Sequence, residues 1–289
     1  MDRRGFLLLL AAGAASALGG CQVGSEAGGP GAPSGAPTPA PPSTPNSPAP
    51  ATTAAAATTA APTSAAPSTA PPTPRVVRSI APAVPAAPTV ISALPGQGSS
   101  IALTVDDGVD TEVVRAYLDF IRSSRVKVTF FVNGQRPSWT DHRDAIIELI
   151  EAGLVQIGNH TWSHPDLSVS SAATIRDEIT RNETFIQDTY GVSGRPFLRP
   201  PFGKYTGESN RIAGDLGYSM ITMWYGSLSD STLISEDVLL AQAQKWLTAQ
   251  RIVIGHANFP TVTHVYGQIL DLLRERSLQT VLLSEAFPA

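Results

Sequence analysis

The stretch Ser100-Ile101-Ala102-Leu103-Thr104-Val105-Asp106-Asp107-Gly108 decides the fold. An apolar, β-branched run ends abruptly in two adjacent carboxylates and a glycine. The run has the composition of a buried strand. Two acids at the end of such a strand stand where an α/β protein places its chemistry, because strand ends feed the loops that line active sites. Asp106 and Asp107 are expected to divide the work, one as a base and the other holding a metal.

Working outward, strand-like runs recur near Ile101–Val105, Val126–Val132, Val155–Gly158, Phe197–Arg199, Ser219–Trp224, Ile252–Gly255 and Thr280–Leu283. Helical patterns lie between them. The first, from about Thr111 to Ser123, puts Val113, Val114, Tyr117, Leu118 and Ile121 on one face, with Asp110 as its N-cap. Others run from about Asp141 to Ala152, Ser171 to Tyr190, Gly207 to Leu216, Glu236 to Ala249 and Val262 to Arg276. Strict alternation of strand and helix means parallel strands with helices outside. Seven units over residues 96–289 predict an α/β fold, an irregular seven-stranded (β/α) barrel of TIM-like type. An open doubly wound sheet is the alternative. Neither a Gly-x-Gly-x-x-Gly turn nor a P-loop follows the first strand, so no nucleotide site is indicated.

The chain ahead of this domain has a different character. Arg3-Arg4-Gly5-Phe6-Leu7 leads into an apolar run to Leu18, then Gly19-Gly20-Cys21. The run is short for a bilayer span and suits a signal peptide over residues 1–21. Leu18-Gly19-Gly20-Cys21 resembles the bacterial lipobox, which implies that Cys21 carries a lipid and anchors the protein outside the cytoplasm. The paired arginines resemble a twin-arginine signal, although Asp2 stands where Ser or Thr is usual; a plain secretory leader is the other reading. Residues 22–95 are a Pro/Ala/Thr/Ser-rich tract with too little apolar bulk to offset its ordering entropy, which predicts a disordered tether. As a flexible coil it averages roughly 50 Å end to end. Cys21 is the single cysteine, so neither an intrachain disulfide nor a thiolate zinc site is available. Residues 96–289 carry 16 Lys+Arg against 22 Asp+Glu, a balance of 16 − 22 = −6. That argues against a nucleic-acid partner and against a polybasic membrane patch, leaving the lipid as the only membrane contact.

The strand ends carry the chemistry. They supply Asp106-Asp107-Gly108, then Asn159-His160-Thr161-Trp162-Ser163-His164-Pro165, then Arg199-Pro200-Pro201-Phe202-Gly203, then Trp224 with Asp230 six residues on, and finally Ile254-Gly255-His256. In a barrel these ends face one mouth. Taken singly, each has a structural explanation: a turn, a surface pair, an ion pair, a core histidine. Their joint occurrence at successive strand ends points to a site. His142 and His264 lie elsewhere and are read as surface residues.

In this order the segments resemble the polysaccharide deacetylase (NodB-homology) carbohydrate esterase family. Thr104-Val105-Asp106-Asp107-Gly108 is similar to its T-F-D-D-G, His160 to His164 to its H-[ST]-x-x-H, Arg199-Pro-Pro-Phe-Gly203 to its R-P-P-Y-G, Trp224 to Asp230 to its W…D, and Ile254-Gly-His256 to its L-x-H. Lys127 to Gly134 also resembles the family's second strand. The resemblance implies a metal, Zn²⁺ or Co²⁺, on Asp107, His160 and His164. It implies Asp106 as general base oriented by Arg199, and His256 as proton donor supported by Asp230. It further implies a backbone N–H near Phe202 for the oxyanion, with Trp162 and Trp224 offering faces to a sugar ring. The substrate it implies is an acetylated polysaccharide, peptidoglycan given the anchor and tether, with an O-acetyl ester or a non-catalytic glycan-binding role as the alternatives. Two positions depart from the pattern: Ser231 follows Asp230 where tryptophan is usual, and Tyr225 follows Trp224 where an acid or small polar residue is common.

Overall fold

A computed structural model of the protein describes residues 87–288. The leader, Cys21 and the tether as far as residue 86 lie outside the described residues. The elements run in the order β1 (Thr89–Ile91), β2 (Ser100–Asp107), α1 (Thr111–Ser124), β3 (Val128–Val132), α2 (Ser138–Asp141), α3 (Arg143–Glu151), β4 (Val155–Asn159), α4 (Ala172–Tyr190) and β5 (Phe197–Leu198). They continue as α5 (Gly207–Asp215), β6 (Met220–Thr222), β7 (Gly226–Ser227), α6 (Glu236–Trp246), β8 (Ile252–His256), α7 (Tyr266–Glu275), β9 (Gln279–Thr280) and α8 (Leu283–Ala286).

The strands form one sheet in the order β1-β6-β5-β4-β3-β2-β8-β7, with β9 also on β2, and every named pairing is parallel. Helices cover the outer face, as parallel crossovers require. The sheet curls into a half-barrel; among the described residues β1 and β7 share no ladder, although Ala93 bridges Arg251 across that gap. This is the predicted barrel with two more strands than the seven expected. β1 and β7, of three and two residues, are too short to leave a period in the sequence.

β1 also corrects the domain boundary. The folded part begins before Gly96, since Thr89–Ile91 pairs with Met220–Thr222 of β6. The Pro/Ala/Thr composition around it reads as tether, yet three β-compatible residues suffice for an edge ladder. The last expected strand is likewise shorter: only Gln279 and Thr280 pair with β2, and Leu283 begins α8. Glu285 turns back to accept from the Leu282 N–H at 2.9 Å, which starts a helical turn where the apolar run suggested more strand.

Local chemistry explains the helices that frame the site. The Asp110 carboxylate accepts from the N–H groups of Glu112 and Val113 and so starts α1 at the predicted place. Ser171 caps α4, and Gly191, at φ 71°, ends it. The main core lies between sheet and helices and includes Val113, Leu118, Ile121, Phe130, Ile146 and Ile157. A smaller cluster of Ile91, Ala102, Phe131, Phe197, Ile252 and Leu283 is also fully packed. Strand register positions the site: Asp106 lies opposite His256, and Asp107, Val132, Asn159 and Leu198 share one level. The next residues on β4 and β5 are His160 and Arg199.

Candidate active site

β2 ends in a left-handed turn, with φ of 71° at Asp107 and 80° at Gly108. Trp139 of α2 holds the turn from outside: its indole N–H donates to the Asp107 carbonyl at 2.8 Å, and its ring leaves no room for a side chain at Gly108. Ser138 donates to the Gly108 carbonyl at 2.5 Å. This turn separates the two acids. Asp106 is 2% exposed and faces β8 and β5; Asp107 turns toward the histidines after β4.

Asp107 Oδ1 lies 3.4 Å from His160 Nε2 and 3.3 Å from His164 Nε2. One ligand atom from each of these three residues falls within 4.8 Å of the others. Asp107 Oδ1 is buried and has no hydrogen-bond partner among the described residues, while Oδ2 accepts from Asn258 Nδ2 at 2.7 Å. His160 Nδ1 donates to the Arg199 carbonyl at 2.7 Å, which fixes the tautomer and turns the Nε2 lone pair toward Asp107. One carboxylate and two imidazoles, with an orphaned oxygen between them, suit a divalent cation such as Zn²⁺.

The electrostatics agree. Burial pushes the Asp107 carboxyl up, but His160 and His164 outweigh it and hold it well below the usual carboxylate range. Burial likewise pushes the His160 imidazole down, and the carboxylates of Asp106 and Asp107 bring it above the ordinary value. His164 drops to about 4 through burial and the neighbouring His160. The pocket thus attracts one positive charge, proton or metal, with His164 kept neutral.

Arg199 is fully buried and pairs with Asp106, Nη1 to Oδ1 at 2.7 Å. The same nitrogen donates to Thr104 Oγ1, and Nε donates to the Thr222 carbonyl. The guanidinium also lies over the Phe131 ring at 4.1 Å. Burial draws its pKa down, partly offset by Asp106. Asp106 Oδ1 is therefore engaged, and Oδ2 faces the metal-ligand set, 3.5 Å from His160 Nε2.

Across the cleft, His256 Nδ1 meets Asp230 Oδ1 at 2.9 Å, and the His256 backbone N–H donates to Asp230 Oδ2 at 3.1 Å. Burial lowers the imidazole pKa, but Asp230 and the carboxylates of Asp106 and Asp107 raise it above the usual histidine value. Asp106, Asp107, His160, His164, Phe202, Trp224 and His256 line one cleft of about 480 Å³, together with Ser227, Ser231 and Thr232. Phe202 sits in a tight turn at φ 58°, its ring exposed and edge-on to His164.

Trp162 does not reach this cleft. The chain turns at Thr161 and again at His164, both with positive φ. Trp162 packs under Arg181 at 4.1 Å and against Phe185 on α4, above Gly134. Several participants had no sequence signal. Asn258 lies two residues past His256 and holds Asp107. Asn133 at the end of β3 donates to the carbonyls of His160 and Thr161. Thr104 reads only as a polar residue inside a strand.

Comparison with known proteins bears on this arrangement. Residues 94–221 match the family of polysaccharide deacetylases. A chitin deacetylase of Pestalotiopsis sp is 36% identical over 125 residues, 43% of this chain and 41% of that protein. A peptidoglycan-N-acetylglucosamine deacetylase of Bacillus cereus is 30% identical over 145 residues, 50% of this chain and 51% of that one. The chain thus spans about half the length, or less, of these relatives. Among solved structures, a CE4 family pseudoenzyme from Bacillus anthracis shares the fold at a TM-score of 0.61 and 23% identity, over 69% of each chain.

Proposed function

We infer that this chain carries a polysaccharide deacetylase domain, and on it a metal-dependent hydrolase that removes N-acetyl groups from N-acetylhexosamine residues of a cell-envelope polysaccharide, peptidoglycan foremost. One observation carries the reading: two adjacent carboxylates with different partners, Asp107 on two histidines and Asp106 on a buried arginine, face a His256–Asp230 pair across one cleft.

Asp107, His160 and His164 would hold the cation, Zn²⁺ or Co²⁺, whose chemistry there is to acidify water and polarise the acetamide carbonyl. Asp106 Oδ2 takes the proton from the attacking water, while Arg199 fixes the carboxylate through Oδ1. A carbon–oxygen bond forms at the acyl carbon. The backbone at Phe202, which lines the cleft beside His164, would offer an N–H to the developing oxyanion. His256 then delivers its proton to the departing nitrogen, and the carbon–nitrogen bond breaks to give acetate and an amine. Asp230 keeps that imidazole charged and aimed. Trp224 forms one wall for the sugar. The acidic domain suits a product that becomes cationic.

The leader with Cys21 supports an extracytoplasmic protein, lipid-anchored to the membrane and given reach by its tether. A non-catalytic glycan-binding role draws on Ser231, where the tryptophan of the family pattern is missing. Against it stand all five residues that move protons or hold metal. Acetate release tests the reading. The purified protein should release acetate from an N-acetylglucosamine oligomer or from peptidoglycan, stop with a chelator and recover with Zn²⁺ or Co²⁺. Metal-loaded protein that releases none from any acetylated glycan would end the enzyme reading, and release from O-acetyl esters alone would redirect it to an esterase.

A further inference from the structure

The loop that carries the two histidines is bent twice into a conformation that side chains resist. Thr161 adopts φ 68° and His164 φ 66°. A β-branched residue in the left-handed region is rare, and such strain persists only where the surroundings impose it. What imposes it here is one face of α4. Glu178 and Asn182 are four residues apart on that helix, so their side chains project from the same side. Glu178 is 9% exposed and Asn182 fully buried. Burying such groups costs free energy unless they are hydrogen-bonded, and their bonds run to the loop and to the strand ends from which it springs.

The Glu178 carboxylate grips Ser163, the residue before His164. Oε2 accepts from the Ser163 backbone N–H at 2.7 Å, and Oε1 accepts from its hydroxyl at 2.6 Å. The Glu178 carbonyl accepts from the Trp162 N–H at 3.2 Å. Asn182 works at the other end of the loop. Its Nδ2 donates to the Val132 carbonyl at 2.8 Å and to Asn159 Oδ1 at 2.9 Å, and its Oδ1 accepts from the Gly134 N–H at 2.8 Å. The loop uses the same two acceptors: the Val132 carbonyl accepts from the His160 N–H at 3.1 Å, and Asn159 Oδ1 from the Thr161 N–H at 2.8 Å. The backbone N–H groups of His160, Thr161, Trp162 and Ser163 thus all end on α4 or on a group that α4 holds.

We propose that Glu178 and Asn182 are positioning residues for the metal site, fixing from behind the backbone between His160 and His164 so that both imidazoles meet Asp107 Oδ1. Neither side chain lines the cleft, so both act only through the loop. Without Glu178 the Ser163 N–H and hydroxyl lose their acceptor, and His164 can relax from its strained φ and carry Nε2 away from Asp107. Without Asn182 the Val132 carbonyl and Asn159 side chain, which seat His160 and Thr161, lose their anchor. The inference rests on Asp107, His160 and His164 as the ligand set of the proposed hydrolase.

The test is Co²⁺ binding to the full chain, read by titration and by the visible absorption of the bound ion, beside thermal unfolding of each variant. Glu178→Ala and Asn182→Leu should each weaken Co²⁺ binding ~10-fold to ~100-fold, the usual effect of losing a group that orients a ligand, and shift the absorption band. Ser163→Ala removes one of the two bonds to Glu178 and should cost ~3-fold to ~10-fold. Glu178→Gln should bind like the unaltered chain, because its amide accepts from the Ser163 N–H and donates to the hydroxyl. Ile175→Ala opens a cavity under the same helix, at a residue 2% exposed, and should lower stability with Co²⁺ affinity unchanged. Unchanged affinity in Glu178→Ala overturns the proposal, as does affinity that follows thermal stability across the set, Ile175→Ala included. If Glu178→Ala does not fold, Ser163→Ala against Glu178→Gln decides, and equal affinities overturn the proposal. A chain that binds no Co²⁺ removes the ligand set and the proposal with it. One that binds Co²⁺ but releases no acetate loses the deacetylase reading, while the affinities still decide the positioning.

Discussion

Asp230→Asn isolates what the carboxylate does for His256. Asp230 makes two contacts with that residue, and only one depends on protonation: the Nδ1–H bond at 2.9 Å to Oδ1. The backbone N–H bond to Oδ2 survives with an amide oxygen in place. What is lost is a hydrogen bond to a charged group in a site where Asp230 is 2% exposed, which is worth about 1.5–3 kcal/mol. At 1.36 kcal/mol per unit, that lowers the His256 pKa by ~1–2 units. The sign follows from its role. In its proposed role as proton donor to the departing nitrogen His256 acts protonated, so activity should be present below its pKa and lost above it. The variant's alkaline limb should therefore move down by ~1–2 units, and above both limbs kcat should fall ~10-fold to ~100-fold. The same raised pKa contributes stability that is full below the unfolded histidine value and fades as pH rises through the folded one; the variant should lose that contribution. The assay is acetate release across pH, with urea unfolding at two pH values. An alkaline limb that stays in place would refute the assignment of His256 as the acid supported by Asp230.

Other expectations concern the frame around the site. Arg199→Met leaves a buried carboxylate without its partner and should cost about 3–5 kcal/mol in urea unfolding; a loss under ~1 kcal/mol would mean Asp106 is not held by that pair. Gly108→Ala drives a methyl into the Trp139 ring, at 2.4 Å, in a backbone with φ of 80°, and should destabilise by about 1–3 kcal/mol while weakening metal affinity measured by titration. Trp224→Ala should raise KM for a glycan oligomer, whereas Trp162→Ala should lower thermal stability with KM unchanged, because only Trp224 lines the cleft.

How far the sequence alone led is clearest at β2. Its apolar run and terminal acids marked strand, site and topology together, because a buried parallel strand must be apolar until the chain leaves the sheet. The helices were legible where a cap fixed an end, as at Asp110 and Gly191. β1 and β7 were not, since two or three residues carry no period. Among site residues, those at strand ends were readable: Asp106, Asp107, His160, Arg199 and His256 fall at corresponding levels of one sheet. Trp162 misled because sequence neighbours of a ligand are not spatial neighbours once Thr161 and His164 adopt positive φ. Asn258, Asn133 and Trp139 were missed for the opposite reason: they act across the fold on backbone or second oxygens, through contacts that no local pattern encodes.

One paired measurement addresses the proposed division of labour between the two adjacent acids. Asp106→Asn and Asp107→Asn are each purified, loaded with Zn²⁺, and assayed for bound metal and for acetate release. The structure predicts that Asp106→Asn retains near-stoichiometric metal and loses turnover, since Asp106 pairs with Arg199 while Asp107 carries the free oxygen between the histidines. Asp107→Asn should lose both. If Asp106→Asn loses its metal while Asp107→Asn keeps it, the roles of the two acids are reversed.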